Sequence, residues 1–462
     1  MLAPHPRHLS AALLAFVLVA PACAPRTSAG PNERPAPADG PGNRRGGGAL
    51  DPVAAYANAG FIAESSPIQF IGNVQYLAGA TADSTLVMIT LSMLNRDFTF
   101  ASESDGYRAR YQVSLQLRRG GDIAHQIDAR ETVRVASYRE STREDESVVF
   151  QQYLEMGPGH YVLAISVRDE GSARNGRHEI LIDVPRMMPI GLSTPVAVYE
   201  ATPRHSSDSL PELVANPRAT AIFGRDSTMQ IYLEGYGLPD DTPVSLSALS
   251  SEQVVVWRDT VQLDVRTPVM QASVIRVPVA QLGVGRLTLA ATPLDATDTV
   301  RTPLFITFGE EWAISSFDEM LNLLRFYASD VRLTQLRQSA GSERAAAWAT
   351  FYKETDPDPR SPEHEGLRTY FSRLTVASER FADEGASGWQ SDRGEVYVTL
   401  GEPDQMLEQG DQGFNQRGRA QLWTYHQHRL QLVFIDQSGF GRWRLTSSSE
   451  VDFDAVAQRV RK

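Results

Sequence analysis

A single cysteine, Cys23, stands among 462 residues, so no disulfide within the chain and no cysteine-built zinc site can form. No apolar run reaches the roughly 20 residues that a membrane-spanning helix needs. Positive charge is in short supply as well: 44 basic against 56 acidic residues give a formal net charge of -12. Five arginines and two acids make the first 50 residues +3, which leaves residues 51–462 at -15. Such an acidic body repels nucleic-acid phosphates and anionic bilayer surfaces, so no nucleic-acid partner is expected. The chain also lacks a G-x-S-x-G elbow, a P-loop, a dinucleotide fingerprint and an H-E-x-x-H pair. His364-Glu365 has no second histidine four residues on. His426 and His428 would share one strand face, as two zinc ligands do, but no third ligand accompanies them. No cofactor, metal or catalytic residue is therefore assigned. A pair of glycosidase-type carboxylates stays open, because their separation is invisible in sequence.

What is present begins with Arg7, an apolar run from Leu9 to Val19 broken by Ser10, and Ala20-Pro21-Ala22 before Cys23. A basic start, a short apolar core and small residues read as a secretory signal over residues 1–23. Small residues before a cysteine resemble a lipobox, which would make Cys23 a lipidated anchor. Cleavage after Ala22 without lipidation is the alternative. Both readings export the chain, to an outer-membrane or periplasmic lipoprotein or to a soluble periplasmic form. Residues 24–50 hold five prolines and six glycines, too little apolar surface to offset ordering entropy. They read as a flexible tether reaching on the order of 30 Å.

Two β-rich regions follow, at 51–186 and 187–308. In the first, Tyr107, Ala109, Tyr111, Val113, Leu115 and Leu117 alternate with polar residues, the mark of a strand with one wet face. Leu86–Met93 reads as a more deeply buried strand. Tyr161, Leu163, Ile165 and Val167 alternate after the turn at 156–159, and Gly159–Leu163 resembles the tyrosine corner of immunoglobulin-like domains. In the second region Met229, Ile231 and Leu233 alternate, and strands are expected near 254–257, 274–279, 287–291 and 304–308. Two immunoglobulin-like β-sandwiches are expected, with spacer or partner-binding roles.

Beyond Gly309 the apolar period becomes helical. Phe317, Met320, Leu321, Leu324 and Tyr327 open a three-helix segment. A second helix is expected to start at a Ser342 cap and stop at Asp356-Pro357. A third is expected from a Ser361 cap with Pro362 at its first position, ending before Gly385. Five of the six tryptophans lie past residue 308. Next come Gly388-Trp389-Gln390-Ser391-Asp392-Arg393-Gly394, a strand expected over Glu395–Leu400, and the turn Gly401-Glu402-Pro403-Asp404. Leu422–Tyr425, Leu430–Ile435 and Arg442–Leu445 read as further strands of a small antiparallel sheet. The fold class is thus multidomain, mainly β, with an α+β part at 309–448 and a charged tail at 449–462.

The Gly-Trp-x-Ser-Asp-Arg-Gly run, the preceding Phe-Tyr-x-x-x-Asp-Pro-x-Pro (351–359), and the later Gly-x-Pro-Asp (401–404), Leu-Trp-x-Tyr (422–425) and Phe-x-Asp-x-x-Gly (434–439) resemble the GWxTD domain of bacterial envelope proteins. Ser391 stands where that motif has threonine. The resemblance brings no biochemical activity with it.

Read physically, Gly388 and Gly394 suit positive φ or close backbone approach. Trp389 anchors the helices on the sheet, Ser391 and Asp392 cap backbone N–H groups, and Arg393 pairs with Asp392, Glu402 or Asp404. The competing reading gathers Asp392, Arg393, Glu402, Pro403 and Asp404 with Trp389, Trp423, Tyr425 and Asp436 in an open cleft for a glycan or Ca²⁺. The leading expectation is an envelope-anchored binding or scaffolding protein whose partner is an envelope protein or cell-wall glycan. The alternative is a carbohydrate-active or hydrolytic enzyme, or a glycan-binding module. A buried Trp389 favours the first.

Overall fold

The computed structural model describes residues 52–462 apart from 66, 144–146, 295–297, 310–315, 340, 362, 383–386 and 410–418. The expected signal segment, Cys23, the expected tether, Trp312, Pro362 and Gly385 lie outside the described residues. The chain is mainly β, built from several sheets, with most of its helix beyond residue 316.

In the first region one antiparallel sheet joins Ile62–Glu64, Phe70–Ala78, Thr85–Leu94 and Ser147–Met156. A second joins Ala101–Glu103, Gly106–Arg119, Asp122–Val135, Gly159–Asp169 and Asn175–Val184. Tyr111, Val113, Leu115 and Leu117 of the second share one buried cluster with Val87, Ile89, Leu91 and Met93 of the first. The Tyr161 hydroxyl donates to the Gly157 carbonyl at 3.0 Å.

All ten residues of Thr85–Leu94 are buried, which one core cannot explain, since successive side chains point to opposite faces. The other face supplies it: Leu86 and Met88 join Leu77 in a separate cluster with Val196, Val198 and Tyr232 of the second region. The two β regions therefore share an apolar boundary.

A buried polar lock fixes that boundary. Arg204 binds both carboxylate oxygens of Glu234 at 2.8 Å and donates to the Ala78 carbonyl at 2.7 Å. The Tyr232 and Tyr236 hydroxyls donate to the same carboxylate, and Tyr236 Oη accepts the Ala78 N–H at 2.9 Å.

The second region also has two sheets, one centred on Thr228–Tyr236 paired with Met270–Pro278, the other on Pro243–Leu249 paired with Gly285–Pro293. Thr220–Ile222 adds a parallel strand beside Val300–Thr307. Helix α1 (Pro52–Asn58) opens the first region in the chain yet packs on the second. Its Tyr56 ring lies 4.6 Å from Phe305, and its hydroxyl is 2.7 Å from Thr220 Oγ1. Helix α2 (Tyr138–Ser141) is a single turn capped by Ser137.

The C-terminal part holds α3 (Phe317–Leu323), α4 (Asp330–Gln338), α5 (Ser342–Thr355), α6 (Glu365–Arg380), α7 (Asp392–Leu400) and α8 (Ser447–Val460). An antiparallel sheet runs Gln405–Gln409, Arg419–Tyr425, Leu430–Asp436, Arg444–Leu445. Several helix boundaries depart from expectation. Gly341, at φ 55°, precedes α5, so Ser342 is a helical residue rather than the cap. Helix α6 starts at Glu365, not near Ser361, because the ring of buried His364 caps it. Its Nδ1 accepts the Leu367 N–H at 3.1 Å, which places the ring proton on Nε2, 3.0 Å from Thr355 Oγ1. Burial lowers the His364 pKa, in keeping with this neutral cap. The expected tail is helix α8, capped by Thr446, with Phe453, Val456 and Ala457 buried.

Candidate functional site

The Gly-Trp-x-Ser-Asp-Arg-Gly run forms a 3-10 turn, Gly388–Gln390, that feeds directly into α7. The strand expected over Glu395–Leu400 is this helix. Its Val, Tyr and Thr residues favour strands only weakly, and the signals ahead of them outweigh that preference. Ser391 Oγ accepts the Gly394 N–H at 3.1 Å, a helix N-cap, and donates to the Gly388 carbonyl at 2.8 Å. Asp392 then places a carboxylate in the first turn, where the helix dipole favours it.

Both glycines are fixed by close approach and not by φ. A Cβ on Gly388 would stand 2.3 Å from the Ala377 carbonyl at the end of α6. One on Gly394 would stand 2.0 Å from the Gly388 carbonyl. The turn is pressed onto α6 and closed on itself. Trp389 is 4% exposed, edge-on to Phe326 at 5.8 Å and under the Arg325 guanidinium at 4.3 Å.

The charged residues of the motif face different partners. Asp392 binds Arg444 at 2.8 Å and accepts the Leu445 N–H at 2.8 Å, tying α7 to the last strand. The other two acids expected to pair with Arg393 are engaged elsewhere. Glu402 holds Arg380 at 2.6 Å, and Asp404 accepts the His426 N–H at 2.6 Å. The Arg393 guanidinium lies over Phe381 and Trp443 at 5.0 and 4.9 Å and donates to Gln421 at 3.2 Å.

Trp423 is fully buried, its Nε1 donating to the same Gln421 oxygen at 3.3 Å. Tyr425 is buried and donates to the Gly401 carbonyl at 3.0 Å, and Pro403 is buried as well. Neither indole offers a floor to a ligand from solvent. His426 and His428 lie in the hairpin turn rather than on a strand, and no cluster of three or more metal-ligating side chains occurs among the described residues.

Asp436 is the most heavily bonded carboxylate of this part. It accepts the N–H groups of Ser438, Gly439 and Gly441, the Ser438 hydroxyl, and Arg419 at 3.0 Å. Burial pushes its pKa up, but the Gly441 amide and the other donors outweigh that and hold it at about 2.

Sequence reasoning overlooked Gln421, the acceptor common to Arg393 and Trp423. The signal existed: Gln421, Trp423 and Tyr425 alternate on one strand face, so Gln421 had to be buried with them. A cavity of about 260 Å³ opens between α6 and α7, lined by Tyr327, Gly366, Tyr370, Arg373 and Thr399. Arg373 is turned to the Val398 and Thr399 carbonyls at 3.5 and 3.3 Å, where a cation stabilises the C-terminal end of α7.

No curated protein matches the chain. Among solved structures, a β-glucuronidase of Bifidobacterium dentium complexed with coumarin-3-O-glucuronide aligns over 62% of this chain at 8% identity, with a TM-score of 0.18. The alignment spans 58% of that enzyme's length, and a score so low supports no argument about fold or activity. The family model of the GWxTD domain matches residues 296–440, which contain the turn, helices α3 to α7 and the first three strands of the sheet. Residues 296–440 of this chain are a GWxTD domain.

Proposed function

We propose that this chain is an exported envelope protein, tethered through Cys23, that binds or scaffolds a partner without catalysing a reaction. One observation carries the non-catalytic part: the motif's tryptophan, serine and glycines are spent on one another and on α6. The cleft suggested by the sequence, with Trp389 or Trp423 exposed beside the acids as a floor for a sugar, is not formed, since both indoles are buried. The export part rests on the composition of residues 1–50. The reading of the first β region as an immunoglobulin-like spacer is supported by the Tyr161 to Gly157 bond, of the kind made by tyrosine corners.

Crosslinking and affinity capture from the native envelope test the partner, with an envelope protein or a cell-wall glycan as the expected catch. Asp392→Ala and Arg393→Ala should chiefly lower Tm. Unchanged Tm with lost capture would instead make the motif a contact surface. Palmitate labelling of wild type and Cys23→Ser decides the anchor: label on both, or on neither, removes the tether.

A further inference from the structure

Outside the GWxTD domain, a cavity of about 220 Å³ opens where Ser147 of the first β region meets the strands around Thr220 and Thr228 of the second. Its lining includes Arg218, Arg225, Thr228 and Gln230 against Val198 and Met229. Arg218 is 9% exposed, and its Nε has no hydrogen-bond partner. Among the described residues no ion pair reaches its guanidinium.

A guanidinium nitrogen taken out of water without an acceptor is costly, so an oxyanion entering the cavity would find the Arg218 charge uncompensated. Asp226 is the one carboxylate in the lining. It is already committed, accepting the Ile222 N–H at 2.7 Å and Arg225 Nε at 3.1 Å. The cavity also sits at a boundary between regions, a common place for small-molecule sites.

We infer that this cavity is a binding site for a small molecule bearing an oxyanion, carboxylate or phosphate, on a partly apolar body. The Arg218 fork receives the oxyanion, for which its planar geometry is suited. Val198 and Met229 receive the apolar part. The volume is in keeping with a body of one ring, since benzene fills an engineered apolar cavity of ~150 Å³.

The test uses the full chain and three probes: benzoate, phenyl phosphate and neutral benzamide. Benzoate or phenyl phosphate should raise Tm with concentration while benzamide does not, and which of the two acts identifies the oxyanion. Arg218→Met should lose at least tenfold in affinity by titration calorimetry, yet melt higher than wild type without a probe, because an unpaired buried charge has gone. Arg218→Lys keeps the charge without the fork and should fold normally but bind more weakly. The site is overturned if neither anion shifts the wild type, if Arg218→Met binds as wild type does, or if it melts lower. Glu144, Asp145 and Glu146 precede Ser147 in the chain. If anions bind only once these are changed to Gln, Asn and Gln, the chain's own acids occupy the cavity and the inference fails.

Discussion

Arg204 and Arg218 lie fourteen positions apart, and both are buried, at 4% and 9% exposure. Every direction of the Arg204 guanidinium is answered: Glu234, the Ala78 carbonyl, and the Ser207 and Ser209 carbonyls at 3.0 and 2.9 Å. Arg218 faces a cavity. A buried charge whose partners are all supplied by the chain specifies how that chain folds. One whose partners are not supplied points outward, to a ligand. The GWxTD turn belongs with Arg204, because its polar groups answer one another.

The sharpest way to break this contrast is at the lock. Glu234→Ala leaves Arg204 buried without its carboxylate and should cost about 3–5 kcal/mol, read by denaturant unfolding. The opposite sign at Arg218→Met completes the pair; equal signs would erase the distinction. Trp389→Ala should also cost about 3–5 kcal/mol, the usual range for emptying a buried aromatic site. A loss under about 1 kcal/mol would mean that the indole is not part of the core.

Asp436→Asn should cost about 1.5–3 kcal/mol, since the donors around it are arranged for a charged acceptor. The folded pKa of about 2 lies below the ordinary 3.8. The contribution of Asp436 is therefore complete above about pH 4 and is lost as pH falls toward 2. Wild type should lose its margin over Asp436→Asn across that window, and a constant margin would contradict the assignment. Ser391→Ala should cost about 1 kcal/mol, the worth of an N-cap. Smallest of all, Ser391→Thr should change Tm by no more than the few tenths of a kcal/mol that separate two capping hydroxyls. Such a result would make this chain's departure from the family motif a silent one.

Much of the fold was legible because it depends on local periodicity. The alternation from Tyr107 to Leu117 and from Tyr161 to Val167 set those strands and their buried faces. The helical spacing at Phe317–Tyr327 set α3 and the turn after it. Errors came where two local preferences competed. Residues 395–400 read as a strand by composition, yet became α7 because Ser391 caps it and two glycines let it press on α6. His364 was passed over as a cap because an imidazole acts as one only when buried and neutral. The candidate site was legible as a motif and not as an arrangement: Asp392, Glu402 and Asp404 were adjacent enough in sequence to suggest one cleft, and the fold sends each to a different cation or amide.

By itself, then, the sequence determined the order of β-rich and helical parts and the likeness of residues 296–440 to the GWxTD domain. These follow from composition and from side-chain spacing along a short stretch of chain. Only the tertiary structure decided that Thr85–Leu94 would be covered on both faces, that α1 would pack on Phe305, far along the chain, and that Arg204 would find Glu234 while Arg218 finds no carboxylate among the described residues. Those outcomes depend on which surfaces meet, and a buried charge is stabilised or stranded by neighbours that are remote in sequence.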